Sequence, residues 1–409
     1  MNICIVNTFF PPHVSGTARA SFLLARTLSE GGHTVTVITS SIRGTPKKEI
    51  DNGVAVYRLR SFMYPKLGIL HKADLYCDIL PGNLLQIFSI LRNEKIELVQ
   101  IFGQFFDLTF LSVLAAKALR LPVVLTIGTR MMHSNLAYKT IFQLFDRTVV
   151  SHIVARRADR VIVMDRIMRD YIASRYALGA SMRFITAGVD VERFGHASGA
   201  LVRRTYGLDE RDPIVLSLGN LSNFRRIESL AKALPTVLKE IPHLKILVVG
   251  AAYDNSQADL VRKLGLEKSV IFCGTVDYAL TPSYFAASSV VANELEPDLY
   301  LRFNSGIGIS LASLEAMASG RAVLTAATED NFPNRTLTNW QNIVLVRPGN
   351  VQEISDALLR LLSDQMLRET IGRNAQKFMR EHFSVQTISE NYEAVYKELL
   401  GNYQSRKQS

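Results

Sequence analysis

The chain has 409 residues, 48% of them hydrophobic and 21% charged, with 13 prolines and a formal net charge of +10. That length exceeds one ordinary core and points to two domains, and the composition excludes a disordered or collagen-like chain. Cys4, Cys77 and Cys273 lie far apart with no C-x-x-C pair, so neither a zinc site nor a disulfide framework is expected and a reducing compartment fits.

In chain order, short β-branched runs alternate with longer amphipathic segments, the pattern of an α/β fold whose parallel sheets carry helices on both faces. The opening MNICIVNTFFPP lacks a basic leader and is broken by Asn2, Asn7 and the Pro11-Pro12 pair, so it reads as a buried first strand, Ile3–Asn7. A helix over Thr17–Ser29 follows, stopped by Gly31 and Gly32. Further strands are predicted at Thr34–Thr39, Val54–Leu59, Glu97–Ile101, Pro122–Ile127 and Arg160–Met164. Residues 188–212 are rich in charge and short on periodicity, and the domain boundary falls there, giving domains 1–190 and 191–384. The second half repeats the form, with strands near Pro213–Leu218, Lys245–Val249, Val270–Cys273, Ser289–Ala292, Arg321–Thr325 and Asn342–Val346. Helices are predicted near Ile227–Glu240 and Val351–Leu362, then Arg368–Glu381 and Val385–Leu400, with Gly401–Ser409 read as a frayed tail.

No apolar stretch reaches the roughly 18 residues that a membrane-spanning helix needs. The expectation is a cytoplasmic protein, soluble or peripheral at the inner face of the membrane. Basic residues recur at Arg156, Arg157, Arg160, Arg166, Arg169, Arg175 and Arg183. They fit solvated helix faces first and an anionic membrane surface second, and with no nucleic-acid motif beside them no nucleic acid is expected as a partner.

Three segments carry candidate chemistry. In Phe10–Arg19, Gly16 removes a side chain where a helix begins, so a phosphate or sugar could approach the free N–H groups, although a plain strand-to-helix turn explains the glycine equally well. In Leu218–Arg226, after a strand, Gly219 and Asn220 precede Arg225 and Arg226, guanidinium groups suited to a diphosphate but misplaced at a helix start otherwise. In Asn304–Gly320, Ser310 can cap a helix that runs through Leu311 and Glu315 to a stop at Gly320. Glu315 sits among Leu314, Ala316, Met317 and Ala318, so its carboxylate needs partners: ribose hydroxyls, or else a backbone N–H or Arg321. No metalloprotease, Walker or G-x-S-x-G motif is present.

Taken together, Pro11–Gly16 with its helix, Ala158-Asp-Arg-Val-Ile-Val163, Gly188-Val-Asp-Val-Glu-Arg-Phe194, Leu314-Glu-Ala-Met-Ala-Ser-Gly320 and Ile371-Gly-Arg-Asn-Ala375 resemble the glycosyltransferase family 4-like group (glycosyl transferases group 1) over nearly the whole chain. The resemblance implies the GT-B fold: two Rossmann-like domains facing a cleft, an acceptor domain first and a nucleotide-sugar domain second, with a terminal helix at 385–409 crossing back to the first. It also implies retaining, metal-independent hexosyl transfer from a nucleotide sugar such as a UDP- or GDP-sugar, without a cofactor, to a glycan or lipid-linked acceptor, as in polysaccharide biosynthesis.

On the family's Glu-x7-Glu pair, Glu315 matches the later, ribose-holding carboxylate, while the earlier position falls on Ile307, or with a gap on Ser305. The family's Arg and Lys before the first helix of the second domain fall on Asn220 and Arg225. Its histidine after the strand Pro122–Ile127 falls on Gly128, with His133 as a nearby substitute. The catalytic candidates are therefore Arg225 and His133. The donor-binding candidates are Gly16, Gly219, Asn220, Arg225, Ser310, Leu311 and Glu315, and no metal ligand is expected. The isoleucine at 307 implies altered donor selectivity, with N–H groups near Ser310 and Leu311 supplying the remaining polar recognition. A non-catalytic GT-B protein that binds a nucleotide sugar or a protein partner is the alternative.

Overall fold

A computed structural model describes the chain apart from residues 14, 65–75, 130–134, 177, 179–180, 196, 222–225, 253, 297–307, 334–335 and 409, and apart from the side chains of 404 and 406–408. Two units emerge, Met1–Gly188 with Val385–Ser409, and Val189–Asn304 with Gly308–Ser384.

In the first unit the chain runs through β1 (Asn2–Asn7), β2 (Thr34–Ser40), β3 (Lys48–Asp51), β4 (Val54–Leu59), a small antiparallel pair β5 (Phe62–Met63) and β6 (Tyr76–Cys77), then β7 (Leu98–Phe102), β8 (Val123–Ile127), β9 (Arg160–Val163) and β10 (Met182–Phe184). The main sheet has the order β10-β9-β8-β7-β1-β2-β4-β3, parallel except for the edge strand β3. Its central strands are buried along both faces, which is why they read as largely apolar runs rather than alternating ones, with Gln100 and Thr126 as buried polar exceptions.

Helix Gly16–Glu30 covers one face, with Gly31 as its C-cap. The same face is closed by the last helix, Val385–Gln408, through Ile388, Tyr392, Val395, Tyr396 and Leu399. Burying two tyrosines is tolerable because each hydroxyl is satisfied: Tyr396 donates to Gln100 Oε1 at 3.0 Å, and Tyr392 lies 3.1 Å from Thr126 Oγ1. Tyr403 donates to Asp159 at 3.0 Å, so the segment expected to fray beyond Leu400 is helical as far as Gln408. The other face is packed by helices Asn83–Asn93, Asp107–Ala118 and Arg166–Tyr176 and by a π-helix over Asp146–Val154 that the periodicity does not reveal.

The second unit carries β11 (Ile214–Leu218), β12 (Lys245–Val249), β13 (Val270–Gly274), β14 (Val290–Ala292), β15 (Ala322–Thr325) and β16 (Val344–Leu345) in the order β13-β12-β11-β14-β15-β16, all parallel. Helices Glu228–Glu240 and Val351–Ser363 pack against it, together with Ile371 from helix Gln365–His382. In each sheet the strand order reverses at one place, between β1 and β7 in the first and between β11 and β14 in the second. In open α/β sheets the crevice at the carboxyl ends of such strands is where ligands bind.

Candidate active site

At the reversal point of the second sheet, β11 is followed by Gly219 with φ 149° and β12 by Gly250 with φ 140°. A Cβ on Gly250 would lie 2.8 Å from the Asn220 nitrogen, so the two loops approach closely only because a side chain is missing. Asn220 ties them together, its Oδ1 accepting from the Ala251 N–H at 3.0 Å. The neutral residue at this family position is therefore engaged with backbone. Arg226 pairs with Glu228 at 3.5 Å. Arg225 lies outside the described residues, as do His133, Ile307 and Ser305.

The Leu311–Ala318 helix begins where the Ser310 hydroxyl accepts from the Ser313 N–H at 3.3 Å, and it ends at Gly320, whose φ of 71° suits glycine. Leu311 opens the helix half-buried. Glu315 points inward and is only 4% exposed. Its partner is the Tyr278 hydroxyl, which donates at 2.5 Å, whereas Arg321 donates elsewhere, to the Ser288 carbonyl at 3.1 Å. Tyr278 is held in turn by Arg193, whose guanidinium lies 4.4 Å from the ring centroid and donates to the Tyr278 carbonyl at 3.0 Å. Through this tyrosine the Gly188–Phe194 and Leu314–Gly320 segments, far apart in sequence, join one cluster.

Sequence reasoning missed the residues directly after β14. Asn293 Oδ1 accepts from the Leu218 N–H at 3.0 Å, and its amide donates to Ser313 Oγ at 3.2 Å. The Ser313 hydroxyl donates in turn to Glu294 Oε2 at 2.7 Å. Glu294 is buried and takes φ 51°, a left-handed conformation that a non-glycine residue adopts at a cost. Glu296 accepts from both the N–H and the hydroxyl of Ser229, at 2.7 and 2.8 Å, at the positive end of helix Glu228–Glu240. Burial pushes its pKa up, and the Ser229 bonds pull it back. The available signal was the run Asn293-Glu-Leu-Glu296, two carboxylates crowded against the end of an apolar strand. With Glu315, three buried carboxylates and the Ser310 helix start share this carboxyl edge, a set of acceptors suited to a hydroxylated ligand.

At the reversal point of the first sheet, Asn7 anchors the turn: its amide donates to the Thr17 carbonyl at 3.1 Å and to Ser21 Oγ at 2.8 Å. Arg58 steadies the loop by donating to the Pro11 carbonyl at 2.8 Å while paired with Glu49 at 2.6 Å. Ser15 caps the Gly16–Glu30 helix, and a Cβ on Gly16 would meet nothing within 4 Å. Packing does not demand that glycine, and its absent side chain leaves the helix start open. Aromatic rings form the adjoining wall: Phe9 stacks on His13 at 4.5 Å and meets Phe106 and Tyr76 edge-on at 5.2 and 6.0 Å. Beneath them Asp78 is fully buried and accepts from Ser40 at 2.9 Å, and burial, with the nearby Asp107 charge, pushes its pKa up to about 6. At Gly128, a Cβ would approach Met164 Sδ to 3.1 Å, so the family's histidine would have to displace that thioether. Among the described residues no group of His, Cys, Asp and Glu is arranged to hold a metal ion.

Two family models match the chain in tandem: Glycosyltransferase Family 4 over residues 14–193 and Glycosyl transferases group 1 over residues 201–378. An uncharacterized glycosyltransferase of Methanocaldococcus jannaschii is 22% identical across 98% of this chain and 99% of its own length. The alpha-monoglucosyldiacylglycerol synthase of Streptococcus pneumoniae is 23% identical across 78% of this chain and 69% of its own. Among solved structures, Anabaena Alr3699/HepE in complex with UDP and glucose superposes with a TM-score of 0.72 at 18% identity, covering 97% of this chain and 100% of the other. The tandem match and the two doubly wound sheets agree: the chain belongs to the glycosyltransferase family 4-like group and is a glycosyltransferase of the GT-B fold.

Proposed function

We propose that the protein moves a hexosyl group, with retention and without a metal, from a nucleotide sugar to a hydroxyl of a glycan or lipid-linked acceptor. The observation that carries this reading is the buried Glu315, held by Tyr278 in the one stretch where the family's ribose-binding carboxylate is retained. A carboxylate so placed accepts from ribose hydroxyls, and Ser310 and Leu311 at the adjacent helix start offer N–H groups to the sugar or phosphate. The Anabaena neighbour, solved with UDP and glucose, supports a uridine nucleotide as the first donor to try.

Arg225 supplies charge at the diphosphate, stabilising the leaving group as a metal does in other enzymes, and His133 stands in for the histidine missing at Gly128. In the second unit Gly219 and Asn220 are further donor-binding candidates, and in the first Gly16 leaves the start of its helix free of a side chain. The name of the pneumococcal relative, alpha-monoglucosyldiacylglycerol synthase, supports a lipid-linked acceptor and with it a cytoplasmic protein that attaches peripherally to the inner membrane face. UDP-glucose, GDP-mannose and UDP-N-acetylglucosamine, each assayed for binding and hydrolysis with and without EDTA, test the reading. Turnover that persists in EDTA is expected. Strict metal dependence, or binding of every donor without turnover, contradicts it.

A further inference from the structure

Helix Leu136–Phe145 differs from every helix that covers the sheets, because none of its residues is buried. It nevertheless carries large apolar side chains in the open: Leu136 is 75% exposed, Ile141 58% and Leu144 61%. Leu136, Ala137, Thr140, Ile141 and Leu144 recur at helical spacing, so these exposed residues lie along one face. The helix holds itself together locally, with Asn135 Oδ1 accepting from the Ala137 and Tyr138 N–H groups at 2.9 and 3.3 Å. Its far end is tied to the first unit through Phe145, whose ring lies 6.3 Å from that of Phe110.

The row continues into the π-helix and changes character. Thr148, His152 and Arg156 follow Leu144 along the exposed side, linked in series: Thr148 donates to the Leu144 carbonyl at 2.6 Å, His152 Nδ1 lies 2.7 Å from the Thr148 carbonyl, and Arg156 lies 3.1 Å from His152 Nε2. Thr140 likewise donates to the Leu136 carbonyl at 2.9 Å. Both threonine hydroxyls are thus satisfied by the helix itself, and covering the face with hydrocarbon would orphan neither.

Charge selects the occupant. Across residues 135–158 the basic side chains are Lys139, Arg147, Arg156 and Arg157, the last three exposed. The single acidic residue there, Asp146, is buried and accepts from the hydroxyls of Tyr171 and Tyr176. An apolar start, internally satisfied threonines and a basic end fit a helix lying in the surface of an anionic bilayer, apolar residues below the headgroups and arginines among the phosphates.

We propose that Leu136–Phe145 and the Thr148–His152–Arg156 row form an interfacial wedge that seats the protein on anionic membrane. The proposal rests on the peripheral, lipid-acceptor reading above and gives it a device: attachment is by apolar insertion as well as charge. Binding therefore weakens with salt without vanishing.

The test is co-sedimentation of the full chain with vesicles of mixed phosphatidylglycerol and phosphatidylcholine and of phosphatidylcholine alone. The expected result is preference for the mixed vesicles and a loss of about tenfold for each apolar side chain removed in Ile141→Ser and Leu144→Ser, the scale for withdrawing one such group from hydrocarbon. Arg147→Gln with Arg156→Gln and Arg157→Gln should weaken binding and flatten its salt dependence, while Ile50→Ser, at a still more exposed isoleucine on edge strand β3, should change nothing. Unaltered thermal unfolding and donor hydrolysis in the wedge variants separate loss of docking from loss of fold. Undiminished vesicle binding by Ile141→Ser/Leu144→Ser overturns the proposal, as does equal binding to neutral vesicles, or a concentration-dependent dimer that these substitutions abolish. If vesicle binding behaves as stated but no donor is turned over, the transferase reading falls and the wedge stands.

Discussion

The carboxyl edges of the two sheets sit at equivalent points of the same topology and are furnished in opposite ways. After β1 the edge is aromatic, with Phe9 in contact with His13, Tyr76 and Phe106, and it carries one buried carboxyl, Asp78. After β11 and β14 it is polar, with Glu294, Glu296 and Glu315 buried and each accepting from a hydroxyl. The topology decides where a ligand can sit, and the loop residues decide which ligand. The polar edge suits nucleotide and sugar hydroxyls, and the aromatic edge suits a surface against which a sugar ring or lipid-linked group can stack.

The largest effect that would sharpen this contrast concerns Arg225. If the second edge stabilises the leaving diphosphate, Arg225→Ala lowers kcat by about 100-fold to 1000-fold, the scale for removing one preorganised charge stabiliser. Arg226→Ala costs far less, because Arg226 already pairs with Glu228. Equal losses in steady-state assays would remove Arg225 from that role.

On the first edge, Asp78 makes stability depend on pH. Its folded pKa is raised from 3.8 to about 6, mainly by burial, so its stabilising contribution is fully present below about pH 4 and is lost as pH rises through 6. Across that window the wild-type protein should lose about 3 kcal/mol relative to Asp78→Asn, read from denaturant midpoints at pH 4 and pH 7. Parallel pH profiles for the two proteins would contradict the assignment.

Glu315→Gln is expected to weaken nucleotide affinity by about 1–3 kcal/mol while leaving the fold intact, since the amide keeps the shape but loses a charged acceptor. Calorimetry on the folded variant checks it, and unchanged affinity takes Glu315 out of the site. Smallest in magnitude is Ile307→Glu, which restores the family's carboxylate beside the donor sugar and should reorder the ranking of donors more than the best rate. An identical ranking before and after the substitution would remove position 307 from selectivity.

Much of the scaffold was legible because it rests on local rules. Strand Lys245–Val249 is apolar throughout its buried part, and the Leu311–Ala318 helix is bracketed by a serine cap and a glycine stop that act within one turn. What escaped depends on contacts distant in sequence. Glu294 and Glu296 look like loop residues until Ser313 and Ser229 arrive from other helices to accept their burial. Among the described residues Glu315 accepts from Tyr278, while Arg321 donates to the Ser288 carbonyl, a choice that no spacing along the Leu311–Ala318 helix could show. The final helical turns lacked an apolar stripe and are fixed instead by Tyr403 reaching Asp159. The exposed Leu136–Phe145 helix has ordinary amphipathic periodicity, and only the structure shows that its apolar face is uncovered.

The most direct measurement of the central claim is a panel of UDP- and GDP-activated sugars, offered with glycan and lipid-linked acceptors, in which binding and transfer are followed together by calorimetry and product mass. The account predicts that at least one nucleotide sugar binds and is turned over in the presence of EDTA, and that Glu315→Gln weakens that donor's binding. Donor binding with no transfer to any acceptor, unchanged by Ile307→Glu, would contradict it and mark the chain as a GT-B protein that has kept its nucleotide site and lost its chemistry.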